Sequence, residues 1–342
     1  MTQTRWTLKS IAQKLGVSTA TISNAFNRPD QLSRQRREAI LKACQELGYF
    51  GPNKAARSLR RGQSGIVALV LSDSIRYMVS DPVASQFVSG ASSVLEDNGK
   101  SLLLVSGSQD DLNEVVDFVD GFICYGTPRN PRLVAALAQV SKKVVVADFT
   151  LADAPSVNIE NRQGAYEIAR LALQGPDDVV AVLGLRLLSG ATEAAPVAQP
   201  ALLDSDSGIS YQRLKGYQQA IEEVVISQPV QLWNLPESNH QFAAEAAAQA
   251  LSQQPRPTVL LCMSDVIALS AMTVALKMGL RIPEDLRVVG FDGIAEAQRF
   301  HPTLTTVHQY SEQKGRQAAA MLLSDEPVSQ ILPYELWRGD SA

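Results

Sequence analysis

Cysteine and histidine are both scarce in this 342-residue sequence. Its three cysteines, Cys44, Cys124 and Cys262, lie far apart and each is flanked by apolar residues. That pattern argues against a disulfide framework or a zinc cluster, and for three buried thiols in a reducing cytoplasm. The three histidines, His240, His301 and His308, lack the spacing of a metal site. A long uncharged apolar run is also missing. The longest stretch, residues 258–276, is broken by Asp265 and reads as a strand followed by a helix, not a membrane span. Residues 1–6 lack the apolar core of a signal peptide, so the expectation is a cytoplasmic protein. The first strand pattern runs into Ser72-Asp73-Ser74-Ile75-Arg76 without a Gly-x-Gly-x-x-Gly. No P-loop lysine and no Gly-x-Ser-x-Gly elbow occur either. These absences argue against an enzyme, a Rossmann-like one included, and no cofactor or metal is expected.

Charge is distributed unevenly. The chain carries a net −4 and is 45% hydrophobic, enough to fill real cores and to exclude a disordered chain. Residues 1–62 hold twelve basic residues and only three acidic ones (Asp30, Glu38, Glu46), a balance of +9. The remaining 280 residues therefore carry −13. A compact basic head suits a polyanionic partner and an acidic body does not.

The head has helical signals at close intervals. Thr7 is placed to cap a helix through Leu15, in which Leu8, Ile11, Ala12 and Leu15 recur at helical spacing. Gly16-Val17 breaks it, and Ser18 caps a second helix over Thr19–Asn27, with Ala20, Ile22 and Phe26 available for packing. Ser33 caps a third helix reaching Leu47, closed by Gly48. Helix, Gly-centred turn, helix is the pattern of a helix-turn-helix, which lays its second helix in the major groove. Ser18, Thr19, Thr21, Ser23 and Asn24 carry the hydroxyls and amide such a helix presents to bases and phosphates. Arg5, Lys9, Lys14, Arg28, Arg34, Arg36 and Arg37 are candidates for phosphate contacts. The competing reading is a small helical domain with a solvated basic face.

From residue 65 the pattern becomes strand–helix alternation. Strands are expected over 66–73, 102–105, 121–125, 144–149, 179–185, 230–235, 258–263 and 286–291. Helices are expected from Pro82, ended by Asn98-Gly99, and over 132–140, 164–173, 211–223, 241–253 and 266–278. Two series of βα units imply two α/β lobes with parallel sheets, facing across a cleft where ligands meet the strands' carboxyl ends. The fold class is therefore α/β, with an all-α head and a two-lobed body. The interval 102–121 is short and leaves only residues 111–118 for a compact helix.

The head's Thr7-Leu8-Lys9-Ser10-Ile11-Ala12 and Gly16-Val17-Ser18-Thr19-Ala20-Thr21-Ile22-Ser23 resemble the start of a lactose-repressor-family transcription regulator. Leu47-Gly48-Tyr49, Pro52-Asn53 and Ala55-Ala56-Arg57-Ser58-Leu59 extend the match. In the body, the segment from Thr258 to Leu269, the string Gly279-Leu280-Arg281-Ile282-Pro283-Glu284-Asp285, and Val288-Val289-Gly290-Phe291-Asp292 carry it further. The resemblance spans about residues 5–325. It implies a helix-turn-helix head with a hinge helix (domain 1–62, hinge about 53–61). It also implies a periplasmic-binding-protein-like effector and dimerisation body over 63–342. One lobe of that body would take about 66–157 plus 310–330, and the other about 158–308.

The family's roles transfer residue by residue. DNA contacts are implied for Thr7, Lys9, Ser18, Thr19, Ala20, Thr21, Ser23, Asn24 and Asn27, and in the hinge for Asn53, Arg57, Leu59 and Arg60. Leu59 matches the apolar wedge inserted at the operator centre, though simple packing is the alternative. Effector contacts are implied for Asp148, Arg213, Ser264, Asp292 and Gln309, the last following a crossover at residues 305–308. A carboxylate pair and an Arg fork suit a polyhydroxylated ligand; the alternative for each is an inter-lobe salt bridge or a helix cap.

Three departures stand out. Asn24 replaces the family's usual Arg, Ser264 replaces its Asn, and residues 186–210 form a long insertion, either disordered or a lid. The implied function is a sequence-specific regulator, a repressor, controlled by a small polar effector such as a sugar. It would be a homodimer on a pseudo-palindromic double-stranded operator, without a membrane partner. A solute-binding protein with no regulatory role is the other reading.

Overall fold

Hydroxyl side chains start the α-helices of the N-terminal unit. In the computed structural model, which describes residues 6–51, 64–188, 190–197 and 208–342, Thr7 caps Leu8–Lys14 in a capping box with Ser10. Ser18 Oγ accepts the Thr21 N–H at 3.0 Å to begin Thr19–Asn27. Ser33 does the same for Arg36 at the start of Arg34–Glu46. Such caps satisfy donors that the first helical turn leaves unpaired. Ile11, Ala12, Ile22, Ala25, Ile40, Cys44 and Tyr49 form the core of this unit. Ala20, expected to pack, is exposed, and Ala25 fills the core in its place. The helical period decides this: Ala25 lies three residues from Ile22 on the buried stripe, whereas Ala20 lies two away, on the opposite face.

The described residues divide between Gly65 and Ile66 into two compact units. The second unit contains two sheets. The first has the order Gln330–Leu332, Ser156–Ile159, Lys143–Ala147, Gly121–Tyr125, Ile66–Leu71, Ser101–Val105, and every neighbouring pair is parallel. The second runs Glu335–Trp337, Thr305–His308, Arg287–Asp292, Val259–Cys262, Val180–Leu185, Gln231–Leu235, Ala195–Pro196. Its two edge strands are antiparallel and the rest parallel. The central strands are buried throughout, as near-continuous Val, Leu and Ile runs require when helices cover both faces.

Strand order reverses in each sheet beside its first strand, between Ile66–Leu71 and Gly121–Tyr125 and between Val180–Leu185 and Val259–Cys262. Those are the switch points at which open α/β sheets leave a crevice at the carboxyl ends. After residue 308 the chain returns to the first sheet, then crosses once more to finish in the second. Helix Ser311–Leu323 crosses helix Pro82–Asp97 so closely that a Cβ at Gly315 would lie 2.1 Å from the Phe87 carbonyl oxygen. Glycine at that position lets the two backbones touch.

Several elements differ from the sequence expectation. Residues 111–118 form turns ending in a 3₁₀ turn, Val116–Phe118, not a compact α-helix. The hydrophobic demand there is met by Leu112 and Val119, buried, with Val115 and Val116 packed beside them. Residues 305–308 are a strand rather than a crossover, and the crossing comes at 309–310. Short elements with little periodicity, Ile75–Ser80, Ser156–Ile159 and Ala295–Arg299, were not expected. Of the insertion, Ala195–Pro196 adds an edge strand to Gln231–Leu235, and Leu187 is buried with its N–H on Asn234 Oδ1. The expectation of a structureless segment is therefore corrected at 195–196, while Arg186 and residues 208–210, at the two ends of the insertion, line the cavity between the lobes; residues 189 and 198–207 lie outside the described residues.

A buried ion pair fastens the second lobe. Arg287 donates to the Asp178 carboxylate and, at 2.5 Å, to the Ala172 carbonyl that ends helix Asn161–Ala172. Removing the cation strands a buried carboxylate, so Arg287→Met is expected to lose about 3–5 kcal/mol in chemical denaturation. Replacing Asp178 with Asn in the same chain should recover most of it, because the neutral amide still accepts the Gln174 and Gly175 N–H groups. A loss below about 1 kcal/mol in the single variant would contradict this.

Candidate functional site

The carboxyl ends of both sheets converge on one cavity of about 260 Å³. From the first lobe come Ser72, Tyr77, Asp81, Tyr125 and Asp148; from the second come Arg186, Arg213, Ser238, Ser264 and Asp292; Gln309 sits at the crossing. All five residues expected to bind an effector are thus brought together. Arg213 is held deep because helix Ile209–Val224 presses onto helix Asn161–Ala172, where a Cβ at Gly216 would lie 2.2 Å from Arg162 O. Its guanidinium lies 3.6 Å above the Phe291 ring centroid, a cation–π stack. It donates to Asn161 Oδ1 at 3.1 Å, Met263 O at 2.5 Å and Asp292 Oδ1 at 3.4 Å.

Asp292 is joined to Asp148 through two further side chains. Gln309 Nε2 donates to Asp292 Oδ1 at 2.6 Å, while Lys314 Nζ donates to Gln309 Oε1 at 2.7 Å and to Asp148 Oδ2 at 2.6 Å. All these groups are buried, Lys314 completely. Burial pushes the Asp292 carboxyl well above the usual carboxylate range, with Arg213 opposing and Asp265 adding to it. Burial likewise raises Asp265, to about 6. Within this network Asp148 Oδ1 and Arg213 Nη2 are buried without a partner. An acceptor and a donor left unpaired on residues that line one cavity are costly until something completes them. Ser264 is differently placed. Its hydroxyl caps helix Asp265–Lys277 through Ile267 N–H and meets Ser238 Oγ at 2.6 Å.

The N-terminal unit presents its helix pair to solvent. Ser18, Thr19, Ala20 and Asn27 are exposed, and Thr21, Ser23 and Asn24 are half-buried. Thr7 and Lys9 are exposed at the start of the first helix. Two of the basic candidates are already engaged. Arg37 Nε donates to the Ala25 carbonyl at 2.9 Å, tying the third helix to the second, and Arg34 pairs with Glu38. Arg5, Asn53, Arg57, Leu59 and Arg60 lie outside the described residues.

Comparison with known proteins decides the lineage. Residues 7–53 match the family of bacterial regulatory proteins of the lacI type, and residues 189–341 match the periplasmic binding protein-like domain. An HTH-type transcriptional regulator of Mycolicibacterium smegmatis is 36% identical over 98% of this chain and 96% of its own length. The chain belongs to the lacI family of bacterial regulatory proteins. The fold agrees. A crystal structure of the lac repressor dimer bound to operator and the anti-inducer ONPF aligns with a TM-score of 0.72, at 22% identity over 99% of both chains. A complex of the transcriptional regulator CelR with cellobiose aligns at 0.65, with 24% identity over 99% of this chain and 100% of that one.

Within this lacI-family chain, sequence reasoning missed the partners that hold the cleft. Four non-glycine residues around it have left-handed φ values: Asp148 (60°), Arg186 (52°), Asp292 (131°) and Tyr310 (51°). Such backbone costs about 1–3 kcal/mol apiece and persists where the surroundings fix it, often at binding sites. Lys314 and Asn161 gave no signal, because each needs the tertiary crossing of two helices to reach the cleft. The other side of the cleft is bridged as well. Asp73 of the first lobe accepts Arg186 Nη2 of the second at 2.5 Å and Arg129 Nη1 at 3.2 Å. The Ser238 N–H donates to Tyr77 OH at 2.9 Å alongside. A carboxylate just past the first parallel strand was the available clue to Asp73.

This bridge keeps the lobes together at the cavity mouth. Truncating Arg186 to Ala removes a charge-assisted bond of about 1.5–3 kcal/mol. The Ser238 amide should then exchange hydrogen about tenfold faster or more, with core strand amides unchanged. Unaltered Ser238 exchange would show that the ion pair does not hold the lobes.

Proposed function

We propose that this regulator is a repressor that binds operator DNA as a homodimer and is controlled by a small polar effector, a sugar or related metabolite, held between its lobes. The observation that carries the effector site is the pair of unsatisfied buried atoms, Asp148 Oδ1 and Arg213 Nη2, at the inter-lobe cavity. A ligand with adjacent donor and acceptor groups completes both, which is what neighbouring hydroxyls offer. The CelR relative with cellobiose supports that ligand class. The lac repressor dimer on operator supports paired heads on a two-fold site.

On this reading the exposed edge of Thr19–Asn27 enters the major groove. Ser18, Thr19, Ala20, Thr21, Ser23, Asn24 and Asn27 meet bases and phosphates there, Thr7 and Lys9 anchor the backbone, and Asn53, Arg57, Leu59 and Arg60 act from the hinge. The head and hinge occupy residues 1–62 and the effector and dimerisation body 63–342. The body's lobes take about 66–157 with 310–330, and 158–308. Such a protein works in the cytoplasm, where its DNA is, and carries no catalytic role. Closing the lobes on the effector changes the geometry of the two linkers, and thereby operator affinity, by about 1–3 kcal/mol.

Two measurements check this. Binding to a consensus selected from random duplexes should weaken steeply with salt, because several phosphates are neutralised per half-site; a flat response removes the DNA role. In a thermal-shift screen of sugars, polyols and nucleobases, a stabilising compound should lose its effect in Arg213→Ala and Asp292→Ala. Retention in both variants places the effector elsewhere.

A further inference from the structure

A completely buried lysine beside a binding cavity needs a reason. Lys314 sits next to Gly315 at the tight crossing of helices Ser311–Leu323 and Pro82–Asp97, so its side chain has no route to solvent. Burial pushes its ammonium below the ordinary lysine range, and Asp148 pulls it back up. Stability does not account for the pair, since apolar side chains of similar volume at both Lys314 and Asp148 would fill the space without desolvating two charges.

Its effect on the cavity is specific. An ammonium only donates, so Gln309 must turn Oε1 toward Lys314 and Nε2 toward Asp292, as it does at 2.7 and 2.6 Å. Asp292 Oδ1 is thereby occupied by Gln309 and by Arg213. Asp148 spends Oδ2 on Lys314 and keeps Oδ1 open. Tyr125 feels the charges of Asp148, Asp81, Asp292 and Arg213, and Lys314 feels those of Asp148, Asp292 and Arg213. Three carboxylates, Asp81, Asp148 and Asp292, line the cavity with two cations, Arg186 and Arg213. Arg186 is already paired with Asp73, and Arg213 keeps one buried donor, Nη2, without a partner.

We propose that Lys314 is a specificity-determining positioning residue. By holding Asp148 as a charged, acceptor-only group, it makes the cleft select neutral ligands that donate from hydroxyls and reject their phosphate esters. This rests on the cleft being the effector site. Without the lysine, Asp148 is a buried carboxyl with no cation hydrogen-bonded to it, and burial disfavours an anion so placed.

The test uses the full chain, with ribose, glucose and cellobiose as neutral probes and ribose 5-phosphate and glucose 6-phosphate as esters, followed by calorimetry. A neutral sugar that binds should do so at least about tenfold more tightly than an ester of the same ring. In Lys314→Met that affinity should fall about tenfold or more and should rise with pH more steeply than in the wild type, because a buried carboxyl without a cation favours its neutral form. Adding Asp148→Asn should remove that added pH dependence. Tighter binding of the ester by the wild type, or an unchanged pH profile with unchanged selectivity in Lys314→Met, overturns the proposal.

A second readout needs no ligand. A lone buried carboxyl is tolerated when protonated, so the stability deficit of Lys314→Met should be small at pH 5 and grow toward pH 8. There the Tm deficit should reach about 8 °C or more and disappear largely on adding Asp148→Asn. A deficit equal at both pH values overturns the proposal, whether or not any sugar binds. If Arg213→Ala and Asp292→Ala each leave a bound sugar in place, the cleft reading has failed. If both abolish binding while Lys314→Met keeps the wild-type pH profile, only the lysine's role has.

Discussion

A chain of buried side chains from Asp148 through Lys314, Gln309 and Asp292 to Arg213 ties the two lobes of the body together. It starts at the end of a first-sheet strand, passes through a helix on that lobe and the crossing segment, and ends on a second-lobe helix. Each group in it is expensive to bury alone and tolerable only with the next in place. The lobes are therefore coupled chemically as well as by the backbone that crosses between them. On the opposite rim, Asp73 and Arg186 form a second bridge.

The sequence revealed the layout better than the wiring. Helix caps at Thr7, Ser18, Ser33 and Asp81 stand where hydroxyl and carboxylate residues precede apolar periodicity, because that local chemistry suffices to start a helix. Strand Gly121–Tyr125 was legible to its end residues, as an apolar run between polar neighbours. Short or unevenly patterned elements were not. Ile75–Ser80 offers too few residues for a period to show, and Ala195–Pro196 is a strand only because the edge of Gln231–Leu235 is there to pair with.

The same division holds at the site. Asp148, Arg213, Asp292 and Gln309 were legible through family strings at strand and helix ends. Lys314 lies in Ser311-Glu312-Gln313-Lys314-Gly315-Arg316, a stretch that reads as a solvent-facing helix start. Its burial follows from Gly315 and Gly90 allowing two helices to touch, a fact about three dimensions that no spacing encodes. In the head, Arg37, a candidate phosphate contact by its charge, also gives its Nε–H to the Ala25 carbonyl and so ties two helices together. Net charge predicts the partner of a surface, not the duty of each cation on it.

A +9 head joined to a −13 body separates the reader of DNA from the sensor, so the cleft network matters to transcription only if ligand and operator influence one another. Linkage tests this most directly. With a stabilising ligand in hand, operator affinity is measured with and without it, and ligand affinity with and without the operator duplex. Two equal factors, each between about 5-fold and 150-fold, are the predicted result. A ligand that binds the cleft with the same affinity whether or not operator is bound would contradict the account.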